Sequence, residues 1–247
     1  MTNSQSDIAD WNRNAETYSS LAGIPEDRLY DQFREILWNC LGDVTGLNVL
    51  DLGCGHGWLT SMLRDRGARV IGVDGSAQML ERSRALCPDV QFLCHDLAQG
   101  LPNLNRSFDL ITAYMVLMDL PVLEPLFRNI QLYSRPGTRL IATINHPCFF
   151  NMDVVQDSKG SWFRKVTSYL SHETWRISSF GGHNHYHRPL MFYFETLRSA
   201  GFVVRRFFEP APIPADDAEA REFRRKVPVF LLLEAVYAPD LVPKSDT

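Results

Sequence analysis

The amino-acid sequence predicts an α/β fold, in which a mostly parallel β-sheet is covered by helices on both faces. Between residues 48 and 145, short apolar runs typical of buried strands alternate with stretches of helical periodicity. Gly67 and the Pro136-Gly137 pair stand where predicted helices end and loops begin. These patterns predict strands at 48–52, 69–74, 90–96, 108–116 and 138–145, with helices at 58–66, 76–86 and about 121–134.

Helical segments precede this alternation, and a less regular region follows it. Amphipathic segments are predicted at 6–20 and 26–41. A helix at about 189–200 and strands at 202–209 and 227–237 come last. We therefore predict a single domain with four parts, namely an N-terminal helical cap (1–42), a core (43–145), a lid insertion (146–188) and a C-terminal helix and hairpin (189–238).

Composition excludes several classes of partner. The net charge is −4, and the densest basic cluster, Arg221 to Lys226, is interleaved with glutamates, so we expect no nucleic-acid partner. No apolar run approaches the roughly 20 residues of a membrane span, so we expect no membrane partner. The cysteines form no C-x-x-C pair and the N-terminus is polar, which predicts a cytoplasmic protein with reduced thiols.

The most informative segment is residues 48–60, NVLDLGCGHGWLT, where a buried strand passes through three glycines into a helix. Such a turn lets the backbone approach a nucleotide-like ligand, and the helix N-terminus offers free N–H groups. A dinucleotide fingerprint would have a third glycine where Trp58 stands. Asp51, two residues before Gly53, would repel a pyrophosphate but would pair well with a cationic amino group.

The D-x-G-x-G-x-G pattern of residues 51–57 resembles motif I of the class I S-adenosylmethionine-dependent methyltransferases. The resemblance covers residues 45–145 closely. It implies a Rossmann-like sheet of seven strands in the order 3-2-1-4-5-7-6, mostly parallel with an antiparallel last strand. It also implies that S-adenosylmethionine is the cofactor and S-adenosylhomocysteine the product.

Aspartates close the first three predicted strands at Asp51, Asp74 and Asp96. The resemblance implies that these residues hold the methionine end, the ribose hydroxyls and the adenine amino group, respectively. A single aspartate at a strand end is also typical of a helix cap or a turn. The whole set of cofactor-binding residues implied by the resemblance is Tyr18, Asp51, Gly53, Cys54, Gly55, Asp74, Gly75, Ser76, Met79, Asp96, Leu97 and Tyr114.

The first helical segment also resembles a feature of small-molecule methyltransferases. Trp11, Ala15 and Tyr18 match a W-x-x-x-A-x-x-Y helix that closes over the methionine end of the cofactor. The alternative is an amphipathic helix that packs the same three residues inward, and both readings are compatible with the spacing.

Residues 146–188 are rich in aromatic side chains, which make good walls for a flat apolar or heteroaromatic substrate. The alternative is that these residues form the small core of the insertion. Residues predicted to contact the substrate, from this segment and elsewhere, are Trp11, Met115, Phe149, Trp162, Trp175 and Tyr186.

Five of the seven histidines lie between residues 146 and 187, three of them in HNHYHRP. We predict no metal site, because an H-x-H-x-H strand without a nearby cysteine or added carboxylate is typical of hydrogen-bonded or surface histidines. A histidine could instead take a proton from the acceptor. His146 is the first candidate base by topology, followed by His185 and Tyr18, although many N-methyltransferases need no base.

Together these observations predict an S-adenosylmethionine-dependent enzyme that methylates N or O of a small, planar aromatic or heteroaromatic metabolite. The [DN]-P-P-[FYW] motif of amide-nitrogen methylation is missing after strand four, and Asp119 alone does not supply the acidic ligands of catechol-type enzymes. The alternatives are a protein or peptide side-chain methyltransferase, a nucleotide-dependent oxidoreductase and an inactive nucleoside-binding module. The sequence leaves the oligomeric state open.

Overall fold

A computed structural model gives the three-dimensional structure and describes residues 3–22, 28–150, 153–210 and 227–242. Within these ranges the α-helices are α1 (Asn3–Leu21), α2 (Arg28–Leu41), α3 (Trp58–Asp65), α4 (Ala77–Leu86), α5 (Glu124–Ile130) and α6 (Leu190–Ser199). The β-strands are β1 (Asn48–Leu52), β2 (Arg69–Asp74), β3 (Gln91–Cys94), β4 (Phe108–Tyr114), β5 (Ser134–Asn145), β6 (Asp153–Gln156), β7 (Trp162–Lys165), β8 (Glu173–Ile177), β9 (His183–His187), β10 (Phe202–Phe208) and β11 (Phe230–Tyr237).

The central sheet has seven strands in the order β10-β11-β5-β4-β1-β2-β3. Strand β1 pairs in parallel with β2 on one side and with β4 on the other, and β3 and β5 extend the parallel arrangement. Strand β11 is antiparallel to both β5 and β10. The predicted order and the antiparallel last strand are confirmed. The chain order reverses between β1 and β4, where ligands of open α/β sheets bind beyond the carboxyl ends of the strands.

Side chains of the central strands pack into separate cores on the two faces of the sheet. Leu50 and Leu52 of β1 and Ile111 of β4 pack with residues of α5 and α6. Val49 and Leu110 lie in the core on the other face with residues of α2 and α3. Since both faces are removed from water, the strands are continuous apolar runs rather than alternating ones, as the sequence predicted.

Several strand ends differ from the predicted ones. Strand β4 ends at Tyr114, because Met115 has a left-handed backbone (φ 53°) that cannot continue a strand. Strand β3 ends at Cys94, because Asp96 instead caps the short 3-10 turn that follows it. Strand β11 begins at Phe230, three residues later than predicted.

The helix predicted at about 121–134 is shorter in the structure. It begins at Glu124, with Pro125 in its first turn, and ends at Ile130 before a 3-10 turn at Gln131–Tyr133. Strand β5 then begins at Ser134, four residues earlier than predicted.

Residues 146–188 form two antiparallel hairpins, β6–β7 and β8–β9, where the sequence predicted no regular unit. The inward-facing residues of β9 are His183, His185 and His187, all at least nine-tenths buried. Their polarity concealed the strand, because period-2 patterns are recognised by alternation of apolar with polar residues.

The two N-terminal helices are present, and α1 extends beyond the predicted range of 6–20. The first residues of the segment predicted at 26–41 and the cluster from Arg221 to Lys226 lie outside the described residues. None of the described helices combines the length and the apolar character that crossing a lipid bilayer requires. The division of the chain into four parts stays a prediction.

The turn after β1 allows a stability test at Gly53. Its φ is +64°, and a Cβ built there would lie 2.4 Å from Cγ2 of Val116. Gly42 has nearly the same φ, +68°, with nothing within 4 Å of its built Cβ. We expect Gly42→Ala to lower the free energy of unfolding by about 1 kcal/mol and Gly53→Ala by about 3 kcal/mol, because only Gly53→Ala adds a clash to the backbone cost. Urea unfolding of both variants measures the difference, and equal losses would contradict the close contact with Val116.

Candidate active site

A cavity of about 410 Å³ lies beyond the carboxyl ends of the central strands. The glycine turn after β1, the ends of β2 and β4 and the turn after β3 line one side of it, and α1 and the insertion line the other. Its volume falls within the range of small-molecule sites in proteins. The cavity is therefore the first candidate for the functional site.

Asp74, at the end of β2, joins two loops beside the cavity. Its Oδ2 accepts a hydrogen bond from the N–H of Gly55 (2.9 Å), and its Oδ1 accepts one from the N–H of Ser76 (2.8 Å). Burial raises the pKa of this carboxyl group, while the two backbone N–H groups lower it. The carboxylate thus ties the glycine turn to the start of α4, where the Ser76 hydroxyl caps the N–H of Met79.

Asp96 holds the turn after β3 in a similar way. Its Oδ1 accepts a hydrogen bond from the N–H of Ala98 (2.9 Å), and its Oδ2 accepts one from the hydroxyl of Ser4 in α1. Leu97, the next residue, is buried and lines the cavity beside this carboxylate. A carboxylate such as that of Asp96 can accept a hydrogen bond from the edge of a purine, and an apolar side chain such as that of Leu97 can pack against its face.

A smaller cavity of about 40 Å³ shares Tyr18, Gly53, Gly55 and Tyr114 with the main one. Asp51 and Arg34 also line it, together with Cys54. The guanidinium of Arg34 lies 5.1 Å from the ring centroid of Trp58. This space therefore has one acidic and one basic side chain on its walls.

Asp51 is completely buried, and its carboxyl group bridges two neighbouring elements. It accepts hydrogen bonds from the hydroxyl of Thr60 in α3 (2.6 Å) and from the hydroxyl of Thr112 in β4 (2.8 Å). Burial raises its pKa to about 6, although both threonine hydroxyls oppose the change; nearby Asp74 adds to it.

Helix α1 covers the cavity and is bonded to both the core and the insertion. Asn12 accepts a hydrogen bond from the Ser76 hydroxyl (2.8 Å) at the start of α4. Asn14 donates to the carbonyl of Gly182 in the insertion (2.8 Å). Asp7 accepts from the hydroxyl of Tyr186 in β9 (2.7 Å). These bonds hold α1 across the mouth of the cavity, consistent with the closing helix predicted at its Trp11 and Tyr18.

Comparisons with known proteins agree with this geometry. Residues 49–137 match the family described as a methyltransferase domain. The solved S-adenosylmethionine-dependent methyltransferase of Mesorhizobium loti is 28% identical, with a TM-score of 0.70, over 83% of this chain and 97% of that one. These matches support a class I S-adenosylmethionine-dependent methyltransferase family for this chain.

Curated relatives of this methyltransferase differ in their acceptors. Demethylmenaquinone methyltransferase of Lactococcus lactis is 28% identical over 65% of this chain and 66% of its own length. Trans-aconitate 2-methyltransferase of Azoarcus sp. is 41% identical over 36% of this chain and 35% of its own length. The first relatives are matched over between 35% and 66% of their length. The predicted family, fold and cofactor are confirmed, whereas the acceptor is not fixed by these relatives.

The lining of the methyltransferase cavity fits S-adenosylmethionine chemically. The methionine end of that molecule has an ammonium and a carboxylate, and the small cavity presents Asp51 and Arg34. Gly53 and Gly55 have left-handed backbones (φ +64° and +53°), and a Cβ at Gly55 would point toward the Tyr18 ring, 4.0 Å away. The glycine turn and Tyr18 of α1 thus lie close together at the wall of the cavity, while the roles of single residues stay predictions.

His146 lies outside the main cavity, contrary to its prediction as the first candidate base. It is 1% exposed, and its Nε2 lies 2.7 Å from Oε1 of Glu209. Its Nδ1 accepts a hydrogen bond from the N–H of Cys148 (3.1 Å). Because both ring nitrogens are occupied, the ring has no lone pair with which to take a proton from a substrate.

His185 is also outside the main cavity, which corrects the second candidate. Its ring lies behind Phe150, with 5.0 Å between the ring centroids. Burial lowers its pKa to about 3, and nearby cationic groups add to the effect. Tyr18, the third candidate, does line the cavity, with its ring beside Gly55.

Two aromatic residues of the β8–β9 hairpin were predicted to contact the substrate but lie outside the main cavity. Trp175 stacks on His185 and His187, with ring centroids 5.4 Å and 4.7 Å apart. Tyr186 points its hydroxyl at Asp7 instead. These contacts form the hairpin's own core, which is the alternative that the sequence left open.

Of the other four predicted substrate residues, two line the main cavity and two do not. Phe149 packs on the ring of His146, and Trp162 is 44% exposed on the β6–β7 hairpin. Both lie outside the cavity. Trp11 and Met115 line it, the former from α1 and the latter from the end of β4.

Two residues without a predicted role, Asp119 and His183, face each other at the cavity wall. Asp119 lies in the 3-10 turn after β4, and Nε2 of His183, the first residue of β9, is 3.9 Å from its Oδ1. Phe150 and Phe180 line the same part of the cavity. The alternation in HNHYHRP indicated that the three histidines share one face of a strand. Only tertiary packing decides which of them lines the cavity, and that residue is His183. Among the described residues, no group of three or more His, Cys, Asp and Glu side chains is arranged to hold a metal ion.

The buried carboxyl group of Asp51 predicts a pH dependence of stability. Its pKa is about 6 in the folded protein and 3.8 for an unperturbed group, so folding favours the protonated form. Its contribution is fully present below about pH 4 and is lost as the pH rises through about 6. Relative to Asp51→Asn, the wild-type free energy of unfolding should fall by about 2 kcal/mol between about pH 4 and 7, because the amide cannot ionise. Urea unfolding at several pH values measures this difference, and parallel curves would contradict it.

Proposed function

We propose that this methyltransferase transfers a methyl group to a nitrogen or oxygen atom of a small, planar aromatic or heteroaromatic metabolite. The observation that carries the proposal is the main cavity, in which most of the predicted cofactor residues and several aromatic side chains share one space. When bound, S-adenosylmethionine supplies an electrophilic methyl group on a sulfonium sulfur.

We assign the cofactor to the side of the cavity formed by the sheet. Asp51 and Arg34 would hold the ammonium and the carboxylate of the methionine end, since they line the small cavity beside the glycine turn. Asp74 keeps lone pairs for ribose hydroxyls while it accepts two backbone N–H groups. Asp96 and Leu97 would meet the edge and the face of the adenine.

We assign the acceptor to the side formed by α1 and the insertion. Trp11 of α1 and Phe150 and Phe180 of the insertion line it, and Met115 and Phe230 line the cavity from the end of β4 and the start of β11. Aromatic walls orient a flat ring and exclude water, and catalysis of methyl transfer consists mainly of such alignment and desolvation. Because α1 is bonded across the mouth of the cavity, a small molecule fits it better than an extended peptide.

We further propose a cytoplasmic location without a nucleic-acid or membrane partner. All five cysteines are unpaired, and three of them, Cys40, Cys54 and Cys87, are buried. Unpaired buried thiols suit a reducing compartment.

Replacing the carboxylate at Asp74 tests the cofactor site. Asp74→Ala should weaken S-adenosylmethionine binding by about 100-fold, because it removes the proposed ribose acceptor and the tie between the glycine turn and α4. Isothermal titration calorimetry measures the affinity. Asp89→Ala is the matched control, since Asp89 is an exposed carboxylate that pairs with Arg64 outside the cavity. Equal affinity in the two variants would contradict the assignment.

Turnover tests the acceptor class. The protein is incubated with S-adenosylmethionine and panels of aromatic amines, heteroaromatic amines and phenols, and S-adenosylhomocysteine and methylated products are followed by mass spectrometry. We expect methyl transfer to members of these panels. Transfer only to proteins or peptides supplied in parallel would favour the side-chain methyltransferase instead.

A further inference from the structure

The main cavity has an uneven distribution of charge among its lining residues. Asp7, Asp74, Asp96 and Asp119 line it, and no lysine or arginine does so among the described residues. Asp74 and Asp96 belong to the proposed cofactor side. Asp7 is bonded to the hydroxyl of Tyr186 and to the side-chain amide of Asn184. Asp119 is therefore the one of these four carboxyl groups that belongs neither to the proposed cofactor side nor to a hydrogen bond that holds α1 to the insertion.

Asp119 is nine-tenths buried, and its Oδ1 has no hydrogen-bond partner among the described residues. The neighbouring Arg188 gives its guanidinium to the carbonyls of Leu117 and Leu120 instead. A buried acceptor without a donor is costly in a folded protein unless it has a functional reason. A ligand that donates hydrogen bonds at this point would remove that cost.

We propose that the acceptor is an amine, and that its protonated nitrogen binds between Asp119 and His183. The inference rests on the proposed function and names the substrate class of the same site. Nε2 of His183 and Oδ1 of Asp119 are 3.9 Å apart, too far for a direct hydrogen bond. A nitrogen atom beside this pair can donate one hydrogen to each of them at ordinary hydrogen-bond distances.

The aromatic residues around the pair suit a cation as well as a flat ring. The ring of Trp11 lies 4.7 Å from that of His183, and the ring of Phe180 lies 6.4 Å from it, measured between centroids. Both rings line the cavity with Asp119. Ring faces attract cations, and the attraction grows when water is excluded. A carboxylate-bearing acceptor would instead find no lysine or arginine among the described lining residues.

The pair also accounts for the loss of a proton that amine methylation requires. The ammonium gives one proton to Nε2 of His183, which leaves a lone pair on the amine nitrogen. That lone pair forms the N–C bond to the methyl carbon while the C–S bond breaks and its electrons stay on sulfur. The products are a methylated ammonium, a neutral thioether and a protonated imidazole, so the total charge is unchanged.

The ionisation of both groups agrees with this arrangement. Burial lowers the pKa of His183 and so favours its neutral ring, although a hydrogen bond to the backbone of Ser179 opposes this shift. Burial raises the pKa of Asp119, and the neighbouring Asp7 raises it further. An ammonium at the site would favour the carboxylate form of Asp119 and thus offset this effect.

The proposal is tested by the binding of three ligands that share a phenyl ring on a two-carbon chain and differ in the charge of the group at its end. Phenethylamine, 2-phenylethanol and 3-phenylpropanoate are titrated by calorimetry into the full-length protein saturated with S-adenosylhomocysteine, so that no transfer occurs. We expect phenethylamine to bind at least about 10-fold more tightly than the other two ligands. Equal or tighter binding of the alcohol or the acid, or no binding of the amine, would overturn the proposal.

The Asp119→Asn variant identifies the group responsible. It keeps the shape of the side chain and should weaken phenethylamine binding by about 10-fold or more, without changing the affinity for S-adenosylhomocysteine. Asp89→Asn removes the same charge at an exposed position outside the cavity and should leave the amine affinity unchanged. Equal amine affinity in Asp119→Asn and Asp89→Asn would overturn the assignment.

His183→Gln separates binding from proton transfer. We expect the KM for phenethylamine to change less than about 3-fold and kcat to fall by about 100-fold, because glutamine can hydrogen-bond but cannot take up the proton. A rise in KM with unchanged kcat would overturn the role of His183. If the wild-type protein binds no S-adenosylhomocysteine, the proposed function fails rather than the amine assignment, so the two failures are distinguishable.

Discussion

The half-buried carboxylate of Asp74 makes the hydrogen bonds on which the site depends. Parallel strands bring their carboxyl ends to one edge of the sheet, but the loops beyond them need a common anchor. Asp74 supplies it by accepting N–H groups from Gly55 and Ser76, which belong to the turns after two different strands. With these loops fixed, the left-handed backbone at Gly53 can bring the glycine turn against Val116 without a side chain in between.

The chain closes this site from outside the sheet by means of α1. The helix is bonded to the core at Ser76 and Asp96, and to the insertion at Gly182 and Tyr186. Helix α1 therefore joins the core to the insertion, in addition to the direct packing of β9 beside the turn after β4. Backbone strain is present at the wall of the cavity. Met115 and Phe180 line it and are non-glycine residues with left-handed φ angles of 53° and 55°.

The distribution of charge within the cavity separates the two proposed ligands. The cofactor side uses carboxylates whose lone pairs are already shared with backbone N–H groups. The acceptor side has one carboxyl group with an unused oxygen, at Asp119, opposite a buried imidazole. The curated relatives differ from one another in their named acceptors, and a shared fold does not by itself fix the acceptor.

The sequence by itself determined the parallel sheet through its strand periodicity, because that pattern is a local property of the chain. The strand order and the cofactor followed from the resemblance of the pattern at Asp51, Gly53 and Gly55 to a motif of a known family. The sequence could not determine which side chains reach the cavity. His146 and Trp175 lie outside the cavity. His146 pairs with a glutamate that is distant in sequence, and Trp175 stacks on two histidines of the neighbouring strand. Asp119 and His183 are 64 residues apart and meet only when β9 packs beside the turn after β4. Such pairings arise from tertiary packing, which the local pattern of neither segment encodes.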